Sequence, residues 1–525
     1  MRVLVSDPLA QDGLSILQAE DTIVVDVKTG LDEDSLVELI GSYDALVVRS
    51  GTKVTRRVIE AAENLQIVGR AGVGVDNIDI NSATRHGILV VNAPDGNTLA
   101  AAEHTIAMMM TLARHIPQAD ASLRAGKWER KRFVGTEVNG KTLGVVGVGR
   151  IGREVALRAR GLRMRVIAFD PYMSRERAEK LGIEMAELDD VLTQADFVTV
   201  HVPLTQTTRG LIGERQLRLM KPTSRVINCA RGGVVDEVAL IKALENGVIA
   251  GAAIDVWENE PPFDSPLLKS PKVVVTPHLG ASTREAQVAV AVDVVRDVLA
   301  VFRGETALHP VNAPMIPPEV QKQLQPFGDL AEKLGNAARQ LVDHGLSEVE
   351  VAYAGQLADL NTDPLRALLI KGLLEGVTAT QVTMVNAALL ARERGLHMVE
   401  TKTCEAEHYA SMISVRFHDN GRVRQLCGTI IGGRPYIVRM DQFRIEFILE
   451  GYQMLINHQD RPGLIGRVGD ITGKADINIA FMGVGRLEPR GDAMMVLTLD
   501  EYAPEEVRAE IQSIPEVHEI RFLEL

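Results

Sequence analysis

The stretch Thr142-Leu143-Gly144-Val145-Val146-Gly147-Val148-Gly149-Arg150-Ile151-Gly152 leaves the chain little choice of fold. It is an apolar strand that passes through a glycine-spaced turn straight into the helical pattern Arg153-Glu154-Val155-Ala156-Leu157. Strand, tight turn and helix in that order mark a parallel sheet with crossover helices. Gly147 permits the turn, Gly149 lets a pyrophosphate approach the backbone, and Gly152 lets the helix pack closely on its strand. The N–H groups that open the helix then face an anion. A second apolar strand, Arg165-Val166-Ile167-Ala168-Phe169, delivers Asp170, about 20 residues further on. A carboxylate there accepts hydrogen bonds from an adenosine ribose and repels a 2′-phosphate, so the expected dinucleotide is NAD and not NADP.

The same alternation extends on both sides of the glycine run. Arg2-Val3-Leu4-Val5, Ala45-Leu46-Val47-Val48 and Ile88-Leu89-Val90-Val91 alternate with helical stretches up to about Thr98. From Thr142 a second series runs through Phe197–Val200, Arg225–Asn228, Ala252–Ile254 and Lys272–Val275. Two α/β domains follow. The helical segment Glu285–Phe302 is placed to return to the first of them. Pro310, Pro314, Pro317 and Pro318 read as a linker. Beyond it come a helical pattern at Leu330–Leu341, a strand at Glu348–Ala354, and a last unit from about Gln453 with the order β-α-β-β-α-β. Met108, Met109 and Met110 lie in the helical pattern Ala100–Ala113 and read as packing residues.

The 525 residues carry a formal net charge of −13, which argues against nucleic acid or an anionic membrane as partner. An anionic substrate therefore needs a local basic site. Cys229, Cys404 and Cys427 show no Cys-x-x-Cys spacing, so no disulfide framework or metal site is expected, and a reducing cytoplasm fits. The start Met1–Asp7 lacks the apolar region of a signal peptide, and no apolar run approaches the roughly 20 residues that span a bilayer.

Oxidising a secondary alcohol requires a base for the hydroxyl proton, and histidine suits that task because it titrates near neutrality. His278 follows the strand Val273-Val274-Val275, at the strand end where open α/β sheets place ligands. Glu260, in Glu258-Asn259-Glu260-Pro261-Pro262, is the candidate carboxylate to orient the ring and stabilise an imidazolium. Arg231, in Asn228-Cys229-Ala230-Arg231-Gly232-Gly233, can grip a carboxylate with its planar fork. Taken singly, these are a strand-end histidine, a solvated acid and a surface cation. Their shared position at strand ends beside the glycine run favours the chemical reading. Arg49, Arg70 and the cluster Arg130, Lys131 and Arg132 are local cations able to bind a phosphate, and the cluster fits a solvated loop equally well.

These segments, with Pro277–Thr283, resemble the D-2-hydroxyacid dehydrogenase family. The resemblance implies that His278 donates and accepts the proton, Glu260 pairs with it, and Arg231 binds the substrate carboxylate and carbonyl. It places Gly147, Gly149, Arg150, Ile151, Gly152, Asp170, Cys229, Ala230, Arg231, Asp255, His278, Leu279, Gly280 and Ala281 around NAD, with Asp255 near the carboxamide and Cys229 as a backbone contact. Val73 and Val202 stand where relatives can place threonine.

Over the whole chain, Arg49-Ser50, Val68–Asn77 and Gly126–Arg132 resemble long members of that family, which oxidise D-3-phosphoglycerate, the step that opens serine synthesis. That likeness implies a substrate site of Arg49, Ser50, Arg70, Gly74 and Asn97. It also implies an L-serine site of His458, Asp460 and Asn478 at a subunit interface of a homo-oligomer, dimer or tetramer, with Asp460 standing where some relatives have Asn. The implied architecture is two doubly wound, Rossmann-like parallel-sheet domains, an α+β intervening domain and a C-terminal ferredoxin-like ACT domain. Their expected bounds are 1–98 with 284–313 for substrate binding, 99–283 for NAD, 314–450 for the intervening domain and 451–525 for the ACT domain. Two other readings are an unphosphorylated substrate such as glyoxylate or hydroxypyruvate, and an NAD-sensing corepressor without turnover; the long C-terminal extension speaks against both.

Overall fold

The structure is a computed structural model that describes residues 1–316, 318–342, 346–378, 381–406, 408–419 and 421–525, apart from the side chains of Pro318 and Asp419. Pro317 of the expected linker lies outside the described residues.

The first sheet has five parallel strands in the order Val24–Val27, Arg2–Val5, Ala45–Val48, Ile67–Arg70 and Leu89–Asn92. Its central strands are unbroken apolar runs because both faces are covered. Val3, Val5 and Val47 face a core that contains Val290, Val294 and Val298, whereas Leu4, Leu46 and Val68 face Leu36, Val58 and Ala83. The spacing of Val290, Val294 and Val298 is one face of the helix Arg284–Phe302, so the chain returns to the first sheet after completing the second. It therefore crosses between the two α/β units near Asn97 and again near Thr283.

The second sheet has seven parallel strands, ordered Val273–Val275, Gly251–Ile254, Arg225–Asn228, Phe197–Val200, Thr142–Val146, Arg165–Phe169 and Glu184–Met185. Strand order reverses between Thr142–Val146 and Phe197–Val200, and a doubly wound sheet binds its ligand at such a switch point. Met108 and Met109 are buried in the helix Thr98–Arg114, as packing residues should be.

A third, six-stranded sheet runs in the order His397–Thr403, Glu348–Gly355, Ser411–Asp419, Arg422–Ile431, Arg434–Met440 and Phe443–Ile448. Its first pair is parallel and the rest antiparallel. The helices Pro318–Gln340 and Asp363–Leu374 share its core. Sequence reading assigns no strand between Ala354 and Met454, yet five lie there. The last unit pairs Ile479–Arg486, Asp492–Leu499, Tyr452–Gln459 and Val517–Glu524 antiparallel in that order and packs Leu464–Lys474 and Glu505–Gln512 on one face, a ferredoxin-like arrangement. Its other face is not independent: Leu455, Val496 and Leu523 lie in one core with Ile445 and Phe447 of the third sheet.

Candidate active site

The glycine loop separates what the fold needs from what a ligand needs. Gly147 has φ +94°, and a Cβ on it would stand 2.6 Å from the His201 carbonyl oxygen. A Cβ on Gly152 would stand 2.0 Å from the Gly147 carbonyl oxygen. Both are demanded by packing. Gly149 has φ −69° and a Cβ there would meet nothing within 4 Å, so the protein itself does not require it. Its missing side chain clears the start of the helix Arg150–Gly161, which fits a pyrophosphate on the helix N-terminus. Asp170 ties the loop to the next strand, its carboxylate accepting from Val148 N at 2.7 Å and Tyr172 N at 2.8 Å. Ile151 is half-buried in the first turn. Arg150 Nε reaches Asp95 of the first unit at 2.6 Å.

After the edge strand Val273–Val275 of the same sheet, His278 Nδ1 lies 3.0 Å from both oxygens of Glu260. Burial raises the Glu260 carboxyl, but the hydrogen bond and charge of His278 outweigh it and leave the group below its usual range. Glu260 also accepts from Trp257 N at 3.2 Å. With Nδ1 committed to Glu260, Nε2 is the nitrogen able to exchange a proton with a substrate.

The loop carrying His278 hangs from Asp255, a residue that sequence reading places against the nicotinamide. In the structure Asp255 is fully buried, and its carboxylate accepts from Thr276 Oγ1 at 2.6 Å, Leu279 N at 2.7 Å and Gly280 N at 2.9 Å. Burial opposes the charge, yet the hydrogen bonds of His104, Thr276 and Leu279 pull its pKa down to about 2. Ala281 follows in the same turn, half-buried. Cys229 is buried, and desolvation with the nearby Asp255 charge raises its thiol pKa, so it is no nucleophile. Asn228, the residue before Cys229, fixes the turn: its Nδ2 donates to Arg231 O at 2.9 Å and its Oδ1 accepts from Ala230 N at 3.1 Å. His201, at the switch point, belongs to no motif in the sequence; burial lowers its pKa to about 4, so it is neutral near pH 7.

Three arginines converge here. Arg231 donates from Nε to Asp76 of the first unit at 2.8 Å and from Nη1 to Ala230 O at 2.6 Å, which leaves Nη2. A Cβ on Gly74 would lie 1.7 Å from that Nη2, so Gly74 is the clearance for Arg231. Arg70 is largely desolvated, and burial together with the Arg231 and Arg49 charges lowers its pKa to about 10. Like charges held this close, with Arg70 Nε buried and unpartnered, make a site for an anion. Arg49 is anchored through its own N–H to Asp7 Oδ2 at 2.6 Å, with Ser50 exposed beside it. Asn97 Oδ1 and Thr98 Oγ1, at the start of the helix Thr98–Arg114, are buried without a partner. Among the described residues the Arg130–Phe133 turn makes no hydrogen bond to this group; Arg132 pairs on the surface with Glu129 at 3.2 Å.

The three residues expected to bind L-serine are not together within one chain. His458 is buried with Nε2 unpartnered, and Asp460 accepts from Arg486 and Arg490 N, each at 3.2 Å. Asn478 instead donates to Asp500 at 2.6 Å. Strand register puts Ile479 level with Tyr452, because both oppose Leu499, while His458 opposes Ala493. Asn478 is thus about 20 Å along the sheet from His458, at ~3.3 Å per residue.

Comparison with known proteins places this geometry. Residues 106–280 match the NAD-binding domain of D-isomer specific 2-hydroxyacid dehydrogenases, the class that the doubly wound sheet and the cleft residues define. Among solved structures, D-lactate dehydrogenase from Aquifex aeolicus, complexed with NAD and lactic acid, matches with TM-score 0.55 and 26% identity over 60% of this chain and 100% of that one. Residues 323–441 match the intervening domain of D-3-phosphoglycerate dehydrogenases. The D-3-phosphoglycerate dehydrogenases of Methanocaldococcus jannaschii and Archaeoglobus fulgidus are 47% and 44% identical to this chain, in both cases over 100% of the two proteins. The chain belongs to the D-3-phosphoglycerate dehydrogenase family.

Proposed function

We propose that the protein oxidises D-3-phosphoglycerate to 3-phosphohydroxypyruvate with NAD, the first step of serine synthesis. The observation that carries this reading is the charge cluster of Arg49, Arg70 and Arg231, with Arg231, the His278–Glu260 pair and the glycine loop all following parallel strands at the same edge of one sheet. Gly147, Gly149, Gly152, Arg150 and Asp170 would hold NAD, which supplies the acceptor for the hydride leaving C2. His278 Nε2 takes the C2 hydroxyl proton, and Glu260 stabilises the imidazolium that forms. Arg231 aligns the carboxylate. Arg49 and Arg70 supply positive charge for the phosphate, in a molecule whose net charge of −13 would otherwise repel it.

Two further parts of the reading concern assembly. Exposed Leu99, Ile116, Leu123, Trp128 and Val134 crowd one segment and support contact with a second copy, which would bring the Arg130–Arg132 cluster beside a neighbour. The separation of Asn478 from His458 and Asp460 supports an L-serine site built from two copies of an ACT domain. The absence of a disulfide among the described residues fits a reducing compartment such as cytoplasm.

The test compares NAD reduction with D-3-phosphoglycerate and with D-glycerate, each with and without L-serine, and runs 3-phosphohydroxypyruvate with NADH in reverse. Equal use of D-glycerate would overturn the phosphate site. Flat activity across millimolar serine would remove the feedback reading.

A further inference from the structure

We propose that His104 is a positioning residue for His278, fixing the loop Thr276–Gly280 to the helix Thr98–Arg114 through Asp255. This rests on the reading of His278 as the proton-transfer group.

His278 has φ +56°, a left-handed conformation that non-glycine residues seldom adopt, so its surroundings must hold it there. Glu260 holds the ring, Thr276 N donates to Ile254 O at 3.1 Å and Trp257 Nε1 to Thr276 O at 3.3 Å, and the remaining bonds run to Asp255. His278 N donates to the Asp255 carbonyl at 2.8 Å, Leu279 N and Gly280 N donate to the two carboxylate oxygens, and Thr276 Oγ1 donates to Oδ1. These donors all belong to the loop that Asp255 is holding. They hold the loop to the end of the strand Gly251–Ile254, where Asp255 N donates to Asn228 O at 2.9 Å, but none of these bonds to Asp255 reaches the helix Thr98–Arg114.

His104 supplies an outside hold. Its Nε2 lies 3.2 Å from Asp255 Oδ1 and 3.4 Å from Thr276 Oγ1, and its side chain is 19% exposed. A carboxylate with a pKa of about 2 only accepts, so Nε2 carries the proton and donates. The helix bearing His104 begins where the chain crosses from the first α/β unit to the second, so the bond sets the catalytic loop against the crossing helix.

A metal reading of the same cluster is weaker. His104, Cys229 and Asp255 present ligand atoms within 4.8 Å of one another. Yet both Asp255 oxygens already accept from Thr276, Leu279 and Gly280, and Cys229 is held in its protonated form. A cation there would have to displace the bonds that hold the loop.

The test uses full-length His104→Leu and His104→Gln, since glutamine keeps an N–H donor of similar reach. Turnover is counted per NADH-binding site, and amide exchange across residues 276–283 is followed by mass spectrometry in protein without cofactor. In the leucine variant kcat should fall about 10- to 100-fold, with the NADH dissociation constant within about threefold of the parent. Exchange in the loop should accelerate at least about tenfold. Glutamine should restore both readouts to within about threefold of the parent. Parental exchange and kcat in the leucine variant, or glutamine as impaired as leucine, would overturn the proposal. Should leucine fail to fold, glutamine with a parental exchange pattern but a kcat at least about tenfold below the parent would overturn it equally. Absence of D-3-phosphoglycerate turnover in the parent would sink the enzymatic reading alone, because the exchange measurement needs no substrate.

Discussion

With His278 Nδ1 facing Glu260 at 3.0 Å, the proposed mechanism assigns the substrate proton to Nε2. Glu260 stays ionised because His278 offsets its burial, and Asp255 stays ionised because four donors surround it. His278→Asn, which keeps a polar group of similar size, should bind NADH normally and lose about 10²- to 10⁴-fold in kcat, the usual worth of a general base; stopped-flow turnover beside NADH fluorescence checks it. Asp255 also gives a stability prediction. Its pKa falls from 3.8 to about 2 on folding, which at 1.36 kcal/mol per unit stabilises the native state by about 2 kcal/mol. A depressed pKa contributes fully above the unfolded value and is lost as pH falls through the folded one. Asp255→Asn should therefore be less stable by about 2 kcal/mol near pH 7, with the gap to the parent closing between about pH 4 and pH 2, as urea melts at several pH values would show. Glu260 and His278 were legible as chemistry from their motifs. His104 was not, because a histidine inside a helical pattern carries no signal until its partner is seen.

At the scale of the element, the glycine loop makes a contrast that one pair of variants can read. Gly152→Ala forces a Cβ to within 2.0 Å of the Gly147 carbonyl, a backbone atom that cannot swing away. It should lower folding stability by about 2 kcal/mol or more, as overpacking does. Gly149→Ala meets open space at an ordinary φ, so its melting temperature should match the parent while NADH affinity falls about tenfold or more. Calorimetry and fluorescence titration separate the two. A strand joined to a helix by a glycine-spaced turn could be read from local pattern, because both faces of a parallel strand are apolar. The strands between 397 and 448 could have been: Ile413, Val415 and Phe417 alternate inward with Ser414 and Arg416 between them. Their period of two is interrupted by polar inward positions such as Arg424, which masks it.

For the whole molecule, the last unit is less separable than its β-α-β-β-α-β order suggests. Arg424, 6% exposed, leaves the third sheet to pair with Glu519 at 3.0 Å, and a shared core lies beside it. Breaking a buried pair from one side costs about 3 kcal/mol or more, so Arg424→Ala should split thermal unfolding into two transitions in calorimetry. A chain ending at residue 450 would bare Ile445 and Phe447 and should bind an apolar dye and aggregate, unlike one ending at residue 313. Toward the other side, the third unit touches the first through Thr383 Oγ1, which donates to Gly87 O at 3.2 Å.

What the sequence determined alone was whatever is encoded locally: parallel strands from apolar runs, a dinucleotide turn from three spaced glycines, and the residue types for proton transfer and anion binding. Tertiary structure decided everything that depends on residues far apart in the chain. It set Arg231 against Gly74 and Asp76, drew Arg70 into the same charge cluster, hung the His278 loop on Asp255, and put Asn478 at the opposite end of its sheet from His458. The reason is physical: a turn or a strand is fixed by forces acting over a few residues, whereas burial, clearance and charge proximity exist only once distant segments share the same space.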